Sequence, residues 1–252
     1  LKSKKNRYGT RANRQCRELL AQISLMRNAS QKIVTRYLEE AKEFTFSKND
    51  LNEIEYQLIH LLIINEKNNL AKEKLKNVLN DENSGSSTFK KGYYYSFLIA
   101  MMTNDAESDS LLSELLINIP EDEMTNDALL LFQSSKHVQN DVDREDLLKA
   151  YRKRSMFETE DAIGLLQSIY DRSKVEDILF LAGEWAMESG MLELAAEIFS
   201  HQYSKPDLQQ FAVLKLAETE RNGTQKNNIS TGFLKRNPQS IFSPQFRRIL
   251  AE

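Results

Sequence analysis

The chain has 252 residues, 40% of them hydrophobic and 28% charged, with a formal net charge of −3. That length allows one or two domains with a sizeable core, and no run reaches the roughly 18 apolar residues that a membrane-spanning helix needs. A single cysteine, Cys16, rules out an internal disulfide, so the fold does not depend on an oxidising compartment.

Eight Gly and four Pro are few for this length, which points to long helices joined by short polar turns. Charge is spread unevenly. Residues 1–17 carry seven basic side chains and no acid, leaving 27 basic against 37 acidic residues in the remainder. A folded body with that acidic excess is not expected to bind nucleic acid. The first residues are basic and polar with no apolar stretch behind them, so no signal peptide is expected.

In chain order, residues 1–9 read as a flexible basic arm ending at Gly9. Thr10 caps a helix to about Asn28, with Leu19, Leu20, Ile23 and Met26 inward. Ser30 caps a second helix that buries Ile33, Val34, Tyr37, Leu38, Ala41 and Phe44, so the two form an antiparallel pair. Ser47 with Asp50 resembles a capping box and opens an apolar helix to about Glu66. Ala71, Leu75 and Val78 continue in the helix after it, and the turn between lacks glycine. Residues 80–88 are polar and rich in Ser and Gly, and read as a loop.

Phe89 to Thr103 holds Tyr93, Tyr94, Tyr95, Phe97, Ile99, Met101 and Met102. Its aromatics allow a strand, but its length and the lack of a partner strand favour a helix. A short helix to Ile119 stops at Pro120. Glu123–Val138 and Arg144–Arg154 form the next pair, and Glu158–Arg172 follows as a further helix.

Val175 to Pro206 reads as two short helices around a tight Ser189-Gly190 turn. Leu179, Ala182, Gly183 and Ala186 share one face of the first, and Leu192, Ala195, Ala196 and Phe199 share one face of the second. A helix with Phe211, Leu214 and Ala217 then runs to a stop at Asn222-Gly223. Residues 223–240, rich in Asn, Thr, Lys and Gln, are expected to be a loose polar segment. Pro244 to Leu250 forms a last short helix, with Pro at its first position.

The small, turn and aromatic residues Gly183, Ala186, Gly190, Ala195 and Phe199 resemble the pattern of a tetratricopeptide (TPR) repeat, a helix–turn–helix of about 34 residues. Pro206 sits one residue early for that family's closing proline, and Gln202 stands where Ala is usual. The resemblance implies an all-α fold of about twelve helices, a right-handed superhelix of antiparallel helix pairs, over residues 10–222. Residues 223–252 form a polar loop and short C-terminal helix. Such a TPR-like α-solenoid has a concave face that binds other proteins. A closed helical bundle is the competing architecture.

Carried across the repeats, the family's groove positions fall at Tyr56, His60 and Ile63, at Tyr93, Phe97 and Met101, and at Phe180, Glu184 and Met187. These are mostly aromatic and aliphatic, so the expected guest is an apolar or amphipathic segment. The Lys, Arg and Asn with which some family members clamp a terminal carboxylate are nearly missing. Two other readings stand beside the groove: the same stripes serve as core, or the chain's own Ile241, Phe242, Phe246 and Leu250 fill it. The arm residues Lys2, Lys4, Lys5, Arg7, Arg11 and Arg14 suit an anionic membrane surface or an acidic partner.

No catalytic constellation emerges. His60, His137 and His201 fit no metal-ligand spacing, and Asp141-x-Asp143-x-Glu145 lacks the Gly and closing Glu of a calcium loop. There is no glycine-rich phosphate loop and no nucleophile elbow. The chain is therefore expected to be a cytoplasmic, non-enzymatic adaptor with no cofactor and no metal. Because it begins at Leu1, the alternative is a docking or regulatory part of a larger enzyme or assembly, membrane-anchored in one version.

Overall fold

The computed structural model describes residues 2–80, 86–120, 122–138 and 140–251; the side chains of residues 1–9, 86–88 and 123 lie outside that description. Among the described residues the chain is all helical, with fourteen α-helices and no strand. They are α1 (Lys2–Met26), α2 (Gln31–Lys42), α3 (Lys48–Ile64), α4 (Asn68–Leu79), α5 (Ser86–Thr103), α6 (Ser108–Asn118) and α7 (Glu123–His137). There follow α8 (Asp141–Ser155), α9 (Thr159–Ser173), α10 (Glu176–Glu188), α11 (Leu192–Phe199), α12 (Pro206–Thr219), α13 (Gly223–Arg236) and α14 (Ser243–Ala251). The aromatic run of α5 is helical, not extended. Of the loop expected over 80–88, residues 81–85 lie outside the described residues.

Two elements depart from the sequence expectation. α1 begins at Lys2, so its backbone takes in the stretch read as an arm. α13 occupies most of the segment read as loose. The Asn222 side chain accepts hydrogen bonds from the backbone N–H of Thr224 at 3.0 Å and Gln225 at 3.3 Å. That cap satisfies two of the donors left open at a helix start. Behind it Ile229 and Phe233, four residues apart, dock onto the core formed with α14.

The chain divides into two compact units, Leu1–Ser135 with Arg152–Glu158, and Lys136–Tyr151 with Thr159–Glu252. In the first, neighbouring helices pack in sequence from α1 to α6, and α3 also touches α5. Its core gathers Ala21, Val34, Leu38, Ile54, Leu58, Leu61 and Ile64. In the second unit α9 packs on α10, α10 on α11 and α11 on α12, and α10 also touches α12. Its main core surrounds Ile178, Ala182, Trp185, Ala195 and Phe199. A smaller one joins Phe233 and Phe246, whose rings stack 4.0 Å apart.

One turn chemistry recurs. Asn28, Glu66, Asn104, Phe157 and Gly190 each follow a helix with a positive φ between 53° and 76°. At each of them the next residue's N–H bonds a carbonyl five residues back: Ala29 to Ser24, Lys67 to Leu62, Asp105 to Ala100, Glu158 to Lys153 and Met191 to Ala186. This is the Schellman helix stop, which turns the chain sharply into the next helix. Only one of the five stops is a glycine, so glycine content alone conceals the other four. In the first unit the stops at 28, 66 and 104 are 38 residues apart, which is longer than the family period of about 34.

Gly183 has a different reason to lack a side chain. A Cβ there would lie 2.7 Å from the Phe199 ring and 2.9 Å from Ile198 Cγ2. The missing atom is what lets α10 and α11 approach so closely.

Candidate functional site

The structure separates the expected partner-binding residues by burial. Tyr56, Ile63, Phe97, Met101 and Phe180 are buried, with Ile63 and Phe97 fully so. They form core, which corrects the expectation that they line a surface groove. The cause is contact beyond the helix pair: Tyr56 stacks under Tyr95 at 5.2 Å, and Phe97 lies 6.4 Å from Phe132. Phe180 meets Phe199, Tyr203 and Phe211 at 5.3, 6.0 and 5.1 Å.

His60, Tyr93, Glu184 and Met187 remain half-buried. Glu184 lies 3.9 Å from Lys215 Nζ, and Met187 packs against the second core. The C-terminal segment packs on α12 and α13, where Phe242 stacks on Phe211 at 5.4 Å and Phe246 is fully buried. Ile241 and Leu250 stay exposed.

The basic residues also divide. The side chains of Lys2, Lys4, Lys5 and Arg7 lie outside the described residues, and Arg11 is exposed. Arg14 pairs with Asp50 of α3, and Arg17 with Glu40 of α2 at 2.9 Å. Arg14 and Arg17 thus fasten α1 to its neighbours. That pairing holds the Asp50 carboxyl below its ordinary range, chiefly through the Arg14 hydrogen bond.

This anchoring explains why α1 is rotated from the expected register. Ala21 and Leu25 face inward beside the ion-paired arginines, whereas Leu19 is 55%, Ile23 36% and Met26 57% exposed. Spaced four and three residues apart, these three make one outward apolar stripe. Cys16, also exposed, lies three residues before Leu19 on the same face. Ile33, in the first turn of α2, is exposed as well.

Behind α1, inside the first unit, lies a cavity of about 270 Å³. Ala21, Gln22 and Leu25 of α1, Val34 and Leu38 of α2, and Gln57, His60, Leu61 and Ile64 of α3 form most of its wall. Tyr95 of α5 contributes from another side, and Ser155 and Phe157 close the remainder. The His60 ring meets Tyr95 edge-on at 6.1 Å. Burial pushes its imidazole down to about 4, so the ring is neutral near pH 7. A neutral imidazole offers one N–H donor and one acceptor nitrogen.

Sequence reasoning picked out His60 but missed the rest of this wall. Phe157 in particular carries no local signal: a bulky residue at φ 64° is rare. Other polar clusters do structural work. Asp143, which the sequence placed in a rejected calcium loop, accepts from Asn140 Nδ2 at 2.6 Å and Arg172 Nε at 2.6 Å. His137 lies 3.3 Å from Asp177, and His201 hydrogen-bonds Tyr170 at 3.1 Å. Trp185 is buried in the core of the second unit. No group of three or more metal-ligating side chains converges among the described residues. No helix among them is long and apolar enough to cross a membrane.

Comparison with known proteins found no matching family model, and no curated protein or solved structure matched significantly.

Proposed function

We propose that this chain is a non-enzymatic interaction scaffold, its helical hairpins stacked in the manner of a TPR-like α-solenoid with right-handed superhelical winding. It holds a partner protein's apolar segment on the outward face of α1. The observation that carries this reading is the stripe of Leu19, Ile23 and Met26, 55%, 36% and 57% exposed on a helix whose opposite face is anchored by ion pairs. A single exposed apolar residue is ordinary, but three aligned on one helix face mark a contact surface. Exposed Arg11 and Arg27 flank the stripe, so a segment with acidic ends around an apolar centre fits best. The helix stops recurring every 38 residues in this unit support the stacked-hairpin reading.

Cys16 provides the test, because it is the chain's one thiol and lies on the stripe's face. A benzophenone maleimide on Cys16 should cross-link the partner in an extract of the native cell. The triple change Leu19→Ser, Ile23→Ser and Met26→Ser should abolish the adduct while circular dichroism and Tm stay unchanged. An adduct of undiminished yield with that variant would refute the surface.

A further inference from the structure

We infer that the cavity behind α1 is a binding site for a small, uncharged, two-ring aromatic molecule carrying one hydrogen-bonding group. Three properties of the site lead there. The first is size: an apolar cavity of about 150 Å³ holds one benzene ring, and this one measures about 270 Å³. The second is chemistry. Half of its wall is aliphatic, with Leu25, Val34, Leu38 and Leu61 among the six; Gln22, Gln57, His60 and Ser155 are its polar members, and none of the twelve residues is Asp, Glu, Lys or Arg. An ion entering it would lose its hydration with no countercharge to replace it.

The third is the placement of polarity. His60 lines the cavity with an acceptor nitrogen that no described residue is seen to hydrogen-bond, and its ring stands at 72° to that of Tyr95. A ligand with one O–H or N–H satisfies that acceptor while its rings fill the apolar space. Phe157 adds a third ring to the wall, beside His60 and Tyr95. It is held at φ 64° and is 53% exposed while still lining the cavity. This site faces away from the outward stripe of α1, and the two proposals stand or fall separately.

The test uses the full chain and three probes: 2-naphthol, naphthalene and naphthalene-2-sulfonate. The first should bind saturably, shift the NMR signals of the His60 and Tyr95 rings and of the Leu25 and Leu61 methyls, and outcompete naphthalene. One net hydrogen bond predicts a preference of roughly two- to tenfold. The sulfonate should not bind. His60→Leu should erase the preference for 2-naphthol while leaving naphthalene affinity within about twofold, as expected when only a hydrogen bond is lost. Phe157→Ala, at the exposed mouth, should weaken both neutral probes. If His60→Leu does not fold, the wild-type shifts and the naphthol-to-naphthalene ratio decide. Absence of cavity shifts at probe saturation, equal affinity for the two neutral probes, or comparable binding of the sulfonate would each overturn the assignment.

Discussion

Arg172 donates from Nε to Oδ1 of Asp143 at 2.6 Å, and from a terminal nitrogen to Asp146 at 2.7 Å, tying α9 to α8. Asp143 is only 1% exposed. A buried carboxylate left without its cation costs much more than the pair contributes. Arg172→Ala should therefore lower the urea midpoint, and Arg172→Lys should restore only part, because lysine lacks the planar fork. Adding Asp143→Asn to Arg172→Ala should recover stability. A double variant less stable than Arg172→Ala alone would contradict this account.

Two identical substitutions should have opposite signs. Gly183→Ala places a methyl 2.7 Å from the Phe199 ring, itself 1% exposed and packed against Phe180, so the ring has nowhere to move. Overpacking of this kind costs about 1–3 kcal/mol. Gly164 of α9 has nothing within 4 Å of the added atom, and Gly164→Ala should stabilise by up to about 1 kcal/mol through helix propensity. Thermal or chemical unfolding of the two variants side by side measures the contrast.

Asn222→Ala should fray α13. The lost cap is worth about 1 kcal/mol, and amide exchange over residues 223–236 should quicken while α10 and α11 keep their protection. Unchanged exchange at Thr224 and Gln225 would show that the packing of Phe233 alone sets this helix.

Stability should depend on pH through His60. Its folded value is depressed to about 4 by burial, against about 6.5 for a free imidazole. Between those values the unfolded chain binds the extra proton, so stability is full above about 6.5 and declines as pH falls toward 4. His60→Leu should flatten that part of the profile of Tm against pH. A second loss follows at lower pH. Burial alone would raise Glu55, but Lys42 and Lys74 bond it and hold it below its ordinary value. Its contribution is present above the unfolded value of about 4.3 and is lost as pH drops below that. Glu55→Gln should remove this acid limb and leave the His60 limb in place.

Helix content was legible because few Gly or Pro interrupt the chain and the 3.6-residue period is clear in elements such as α2, α11 and α14. The Ser189-Gly190 turn and the close approach at Gly183 were readable for the same local reasons. Residues 223–236 were not, since α13 is mostly polar and its one strong signal, the Asn222 cap, also resembles a turn.

The candidate sites were readable only in part. The register of α1 was misjudged because Leu19, Ile23 and Met26 look like an inward face, and ion pairs from Arg14 and Arg17 to other helices hold α1 the other way. The groove residues Tyr56, Phe97 and Phe180 had the right periodicity, but periodicity gives a face and not what covers it.

By itself, then, the sequence determined that this protein is built of helices joined by short turns, since side-chain spacing and caps act within a few residues of one another. The tertiary structure alone decided which apolar faces meet solvent, where a cavity remains, and that residues such as Phe157 stop a helix. Those outcomes depend on contacts between residues far apart in the chain, such as Tyr56 with Tyr95 and Arg14 with Asp50, and no local pattern encodes them.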